Sequence, residues 1–542
     1  MRAKPSPAWR LAVIGLVTAL AICEIGASEV GPIRVELPAR HLWAGEHVQL
    51  TVRVTGGDDG IGGPSLLRWE FVLSSAVLAN GAQELTLKPG ASERVVVKLA
   101  APEVRHVSQV DLRVALLRGD EVRARDQIVL RVYPAWDPKP ILTLLEHKRI
   151  GIADPSGRVA KMLADSGLTG GAMTTVSDTL SNAAAVCAFR GDALILGPGA
   201  SQAASLVEAA LEAATSGLTV LWLEPGDTSR WRDSFGLPAA WAAEPTALLD
   251  LAPGHPALAD IQPDDLAPWR GEGGPRFVME SPPGGNFRGL VAAAGEKPGY
   301  GLLEVFPGGG RIVLCELPVV SRFGAEPAAR MLFELLLKYA VSDVPRFHPA
   351  ALWAPPDGKL PLLAEKAGLV VSDAGAPGDG LIVIAAGADA ADYYRVRESS
   401  LADKIRAHLA SGGKCLFIGA EPESSAFLER CDVRGIAFEP APEKPEWTCE
   451  PVPLAWGISS QDIAAAARAG EGTPIFEYRV AAADGAKTAA APGAIVKVPV
   501  GAGEAVLCQL ALDRAPENLA VIAVFRQLLT NLGARLQRED EQ

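Results

Sequence analysis

Few residues in this 542-residue chain have the types and spacing that chemistry needs, and the strongest candidates lie between positions 220 and 270. Trp269 and Arg270 open a glycine-rich stretch, Arg270-Gly-Glu-Gly-Gly. An indole beside a guanidinium can stack on a sugar ring or anchor a protein partner; the competing expectation is that the indole packs inside, as large aromatics mostly do. Glu224 and Asp227, in Glu224-Pro-Gly-Asp227, follow the apolar run Leu218-Thr-Val-Leu-Trp-Leu223. That places two carboxylates at the carboxyl end of a strand, where open α/β sheets bind ligands, as candidates for binding or for hydrolysis of a glycan or ester bond. Asp264-Asp265 and Glu70 are carboxylates on paper for acid/base work, which requires two such groups facing one cleft. No run of eight βα units exists to aim them. Asp265 recurs as Asp462 before an apolar residue, which suits a helix N-cap in both places.

Other reactive types point away from chemistry. The seven His residues (41, 47, 106, 147, 255, 348 and 408) are scattered, without His-x-x-x-His or Cys-x-x-Cys spacing, so no metal site and no cofactor is expected. His255, between Gly254 and Pro256, is read as capping or packing. Gly197-Pro-Gly199 follows one strand and opens a helix, but on the wrong strand for a dinucleotide site; it reads as a tight connection. Cys315 and Cys508 sit inside apolar strand patterns and are expected to be buried thiols. Cys431 and Cys449 flank a loop-like stretch and could pair as a disulfide in an oxidising compartment, or stay free.

The elements that must position these residues change character along the chain. Residues 1–28 carry Arg2, Lys4 and Arg10, an apolar run over 11–22 and the small residues Gly26-Ala27-Ser28. This is the pattern of an export signal cleaved near Ala27 or Ser28, with an uncleaved membrane anchor as the alternative. Residues 29–136 alternate in period two over about seven short strands, the pattern of an immunoglobulin-like β-sandwich. From Arg149 onward buried-strand runs alternate with helical patterns, which implies βαβ units and parallel sheets between helical layers. Pro345-Arg-Phe-His-Pro349 divides this region into α/β domains over 137–345 and 346–537, followed by a charged tail, 538–542.

The two α/β stretches say the same thing twice. Ile312-Val-Leu-Cys-Glu-Leu317 returns as Ala505-Val-Leu-Cys-Gln-Leu510, and residues 256–266 align without gaps on 453–463. Together with Arg149-Ile-Gly-Ile-Ala-Asp-Pro, Asp192-Ala-Leu-Ile-Leu-Gly, Gly254-His-Pro-Ala-Leu and Asp265-Leu-Ala-Pro-Trp-Arg270, these runs resemble class I glutamine amidotransferase-like, flavodoxin-type domains. The likeness is to the degenerate form appended to secreted glycoside hydrolases and found in trimerisation domains of some β-galactosidases. Catalytic members of that family require a nucleophilic Cys on a strand-to-helix elbow and a later His. Here the elbow reads Glu224-Pro-Gly-Asp in copy one and Glu421-Pro-Glu-Ser in copy two, and no His follows His408.

The chain carries 64 acidic against 51 basic residues, a net charge of −13, which excludes a general affinity for nucleic acid. The expectation is therefore an exported, periplasmic or extracellular protein without amidotransferase machinery, acting as a binding or scaffolding component connected to polysaccharide processing. Its partner would be a polysaccharide or an envelope protein, with the membrane involved only if the N-terminal segment is retained. The alternatives are a hydrolase using Glu224 and Asp227, and a homo-oligomerisation module built around Trp222, Trp231 and Trp241.

Overall fold

Period-two alternation in the first hundred residues has a direct physical outcome. In β3 (His47–Thr55) Val48, Leu50, Val52 and Val54 are buried, and they lie opposite Leu99, Val97, Val95 and Glu93 of β6 (Ser92–Ala100). With β1 (Ile33–Glu36) these strands form a three-stranded antiparallel sheet. A second sheet, β2 (His41–Trp43), β8 (Glu121–Tyr133), β7 (Ser108–Arg118), β4 (Gly63–Leu73) and β5 (Ala76–Leu87), shares one apolar core with the first. The structure is a computed structural model that describes residues 33–36, 41–56, 63–88, 90–168, 173–177, 183–231, 237–243, 245–269, 273–282, 284–296, 298–372, 380–469, 475–482 and 485–537. The export-signal residues, Arg270 and the tail from 538 lie outside them. Among the described residues no helix is long and apolar enough to cross a membrane.

A ten-stranded sheet follows. Its parallel half runs β10 (Met173–Ser177), β9 (Ile150–Ala153), β11 (Ala193–Leu196), β12 (Thr219–Leu223) and β18 (Arg311–Cys315). The sheet continues antiparallel through β17 (Gly299–Val305), which pairs with β15 (Phe277–Met279) and β16 (Phe287–Ala294); these carry β13 (Ala240–Ala242) and β14 (Ala247–Asp250). The central strands read as unbroken apolar runs because both faces are covered. Ile150, Ile152, Ile195, Leu221 and Cys315 enter one cluster with helices Arg158–Asp165 and Pro327–Ala340. Leu194, Leu196, Val220, Trp222 and Leu314 enter another with helix Ala204–Thr215.

The sequence repeat is a repeat of connectivity. In the second copy β19 (Ala351–Trp353), β20 (Leu381–Ala385), β21 (Lys414–Ile418) and β27 (Gly503–Cys508) run parallel. The sheet ends antiparallel through β26 (Ile495–Val500), β25 (Lys487–Ala491) and β23 (Thr448–Cys449), matching β17, β16 and β14. A separate pair, β22 (Ala437–Pro440) with β24 (Tyr478–Ala482), matches β13 with β15.

Three sequence expectations need correction. The sandwich has eight strands among the described residues, because short β2 pairs with the end of β8. The apolar run Leu369-Val-Val371, which reads from sequence as a strand of the second copy, is not one: it makes only isolated bridges to Ala350 and Leu536, and β19 takes the edge place. Asp265 and Asp462 are not N-caps but the third residues of capping boxes whose N-caps are Gln262 and Ser459.

Candidate functional site

Strand β12 ends in a sharp turn. The N–H of Glu224 donates to the carbonyl of Cys315 at 2.7 Å, and Glu224 adopts φ 47°, left-handed backbone that a side chain disfavours. At the same place in copy two Gly419 donates to the carbonyl of Cys508 at 2.8 Å with φ 66°. The elbows are therefore Glu224 and Gly419, and the two Glu-Pro dipeptides that look alike in sequence stand two residues out of register. Glu421 instead opens the turn Pro422–Ser424 and pairs with Arg514 at 2.9 Å.

Glu224 lines a cavity of about 430 Å³ with Arg158, Arg276, Phe277, Glu316 and Arg322, beyond the carboxyl ends of the parallel strands. Each carboxylate is held. Glu224 accepts from the N–H of Ser321 at 2.7 Å and pairs with Arg158 at 3.2 Å. Glu316, only 4 % exposed, accepts from the N–H of Gly226 at 2.8 Å. Burial pushes Glu316 well above the usual carboxylate range, and the nearby Glu224 adds to this against the Gly226 bond. The cavity thus joins one carboxylate on a strained elbow to a second that favours its protonated form. Such a pair can accept and donate hydrogen bonds to ligand hydroxyls, with guanidinium donors around it and the Phe277 ring as an apolar wall.

Of the binding candidates singled out from sequence, Glu224 alone among the described residues lines this cavity, joined there by Pro198 of the Gly197-Pro-Gly199 turn. Asp227 is exposed one turn away and accepts from the N–H of Ser229 at 2.9 Å. Trp269 is fully buried in the first α/β core and donates its indole N–H to Glu326, which pairs with Arg322 at 2.8 Å. It stands behind the cavity wall, with no ring face open to a sugar. Trp222 is likewise interior, which closes it to a subunit interface; Trp231 is half-buried and donates to the carbonyl of Ser201 at 2.9 Å. Cys431 and Cys449 are free thiols, each pushed up to about 12 by burial, so the disulfide option is not formed. Of the six described cysteines only Cys187 is exposed.

Arg158, Arg276 and Glu316 went unnoticed in the sequence. Glu316 had a signal: it is replaced by Gln509 inside the otherwise matched Leu-Cys-Glu-Leu and Leu-Cys-Gln-Leu runs. Gln509 is 3 % exposed, and neither amide atom has a hydrogen-bond partner among the described residues. His255 belongs to a different cluster. Its Nδ1 accepts from the N–H of Ala257 at 3.2 Å, and its Nε2 lies 3.6 Å from Glu304, which pairs with Arg288 at 2.8 Å and accepts from Tyr339 at 2.6 Å. Burial raises the Glu304 pKa, but His255, Arg288 and Arg311 outweigh it and hold the group well below the carboxylate range. This cluster is closed to solvent and packs on Trp456 of the second copy, the His255 and Trp456 rings being 4.5 Å apart.

No family model matches the chain, and no curated protein matches it. Solved structures give partial likenesses. The exo-β-1,4-mannosidase Op5Man5 from Opitutaceae bacterium strain TAV5 is 14 % identical over 40 % of this chain and 40 % of its own, with a TM-score of 0.22. A glycosyl hydrolase family 2 member from Bacteroides cellulosilyticus is 13 % identical over 35 % of this chain and 24 % of its own, TM-score 0.16. The α2-macroglobulin of Escherichia coli, from domain MG7 to the C-terminus, is 22 % identical over 20 % of this chain and 17 % of its own, TM-score 0.15. The chain spans less than half of each of these, and likenesses of this size carry no argument about its fold or activity.

Proposed function

We propose that this is an exported binding protein in which an immunoglobulin-like sandwich presents two amidotransferase-like α/β domains, the first carrying a ligand pocket and the second serving as framework. The observation that carries the reading is Glu224. A carboxylate is kept at a backbone angle that costs about 1–3 kcal/mol for a residue with a side chain, at the wall of a cavity beside buried Glu316, where the framework copy has Gly419 and Gln509. Strain of this kind persists where a side chain is needed in place. Amidotransferase chemistry is disfavoured by the same residues: the elbow carries a carboxylate, and the adjacent thiol of Cys315 is buried with its pKa pushed well up. A pocket lined by carboxyl and guanidinium groups with one aromatic wall suits a hydroxyl-rich ligand, which ties the reading to polysaccharide processing. Retention of the mature protein on a panel of soluble and insoluble glycans tests it. Retention that is lost in Glu224→Gly supports the pocket, whereas retention on nothing in the panel, with folding shown by circular dichroism, removes the sugar-binding role.

A hydrolase is the second reading, favoured by the two carboxyl groups of unlike environment in one cavity. Turnover of chromogenic glycosides or esters that disappears in Glu316→Gln would support it; turnover indifferent to both Glu316→Gln and Glu224→Gly would end it.

A further inference from the structure

The charge around the elbow cavity is unlike that of the rest of the chain. Three guanidinium groups line it, against the carboxyl groups of Glu224 and Glu316, in a protein of net charge −13. Arg322 is committed to Glu326 at 2.8 Å. Among the described residues Arg158 makes a single ion pair, to Glu224 at 3.2 Å, and its side chain stays 48 % exposed. Arg276 is exposed and pairs with no carboxylate among the described residues. The residue just before the matching strand of copy two is Glu477, which pairs with Arg514 at 2.7 Å, so there the charge is both reversed and satisfied. Burial pushes the Glu316 pKa well up, which adds to the positive balance set by three guanidinium groups against two carboxyl groups.

We propose that this cavity binds an acidic saccharide through the carboxylate or sulfate group of the sugar, with Arg276 as the principal anchor and Arg158 beside it. The inference rests on the pocket reading above and narrows it to a ligand class. An exposed guanidinium fork matches the oxygens of either group in bidentate fashion, which a neutral sugar hydroxyl cannot reproduce.

Isothermal titration of the full chain with galacturonate, glucose 6-sulfate and galactose tests this. Binding of at least one acidic sugar, roughly tenfold or more tighter than galactose, is expected. It should weaken with added salt and fall by a similar factor in Arg276→Gln, whose circular dichroism should match the parent. The carboxylate and sulfate arms show which group is preferred. Galactose binding as tightly as either acidic sugar overturns the charge argument while leaving the pocket reading in place. Acidic-sugar binding unchanged in both Arg276→Gln and the Arg158→Gln, Arg276→Gln double variant overturns the assigned anchor, and binding of none of the three sugars overturns the proposal.

Discussion

Glu316 and Glu304 are both buried glutamates in the first α/β sheet, and their surroundings send them in opposite directions. Glu304 has the His255 imidazole and the guanidinium groups of Arg288 and Arg311 beside it, so its charged form is favoured; Glu316 has one backbone donor and a carboxylate nearby, so burial dominates. A carboxyl group with a raised folded pKa contributes stability that is fully present below its unfolded value, near 4.5, and is lost as pH rises through the folded value. For Glu304 the sign reverses, and its contribution is lost as pH falls. Glu316→Gln removes the first dependence without removing the hydrogen bond from Gly226. Urea midpoints of the parent should therefore drop relative to those of Glu316→Gln as pH is raised from the ordinary carboxylate range toward neutrality. Parallel midpoint curves for the two proteins would show that Glu316 is ionised in the folded state.

The repeated capping box lets one copy serve as control for the other. Asp265 and Asp462 each accept from the backbone N–H of their own N-cap residue, at 2.7 and 2.8 Å. Asp265 does more: it pairs with Arg131 of β8 at 2.7 Å and accepts from Tyr133, which ties the sandwich to the first α/β sheet. Asp462→Ala should cost about 1 kcal/mol, the ordinary value of a cap, whereas Asp265→Ala should cost about 3–5 kcal/mol because it leaves the buried Arg131 guanidinium with only the distant carboxylate of Asp264, 4.0 Å away. Equal losses in denaturant unfolding would mean that Arg131 finds water instead. The alignment of 256–266 on 453–463 made both carboxylates legible as capping groups, three positions off. The bond to Arg131 was not legible, since it joins residues 134 positions apart. Gly197 is a similar case: its place in a tight connection reads from the sequence, yet the reason for glycine is the carboxylate of Asp154, which fills the space a Cβ would take while accepting from the N–H of Val159 at 2.6 Å.

Across the whole molecule the two copies are fused by hydrogen bonds that neither could make alone. The amide of Asn286 donates to Thr530 at 3.1 Å and to the carbonyl of Ala534 at 2.8 Å, and accepts from the N–H of Leu536 at 3.0 Å. Arg288 reaches Asn531 at 2.9 Å, and Gln527 donates to the carbonyl of Phe287 at 3.2 Å. Replacing Asn286 by Ala leaves buried backbone groups of the second copy unsatisfied. It should lower stability by about 1–3 kcal/mol, read as a shifted urea midpoint with secondary structure retained. An unchanged midpoint would show that water enters this interface and takes over the bonds.

The sequence by itself determined most of the strand and helix pattern and the duplication, because period-two and buried-strand signals are local and a repeat needs no coordinates. The helical pattern over about 518–532 matches helix Leu519–Leu532, and the structure adds that Asn518 caps it. Only the tertiary structure decided where the candidate site lies. Trp269, the most conspicuous residue on paper, packs behind a wall, while Glu224, Arg158, Arg276 and Glu316 meet across four separate segments of chain. Even the elbow register depended on the third dimension, since Glu224 and Gly419 are matched by backbone angle and by their bonds to Cys315 and Cys508, not by residue type. Convergence of distant side chains on one cavity is set by sheet order and packing, and no spacing along the chain encodes it.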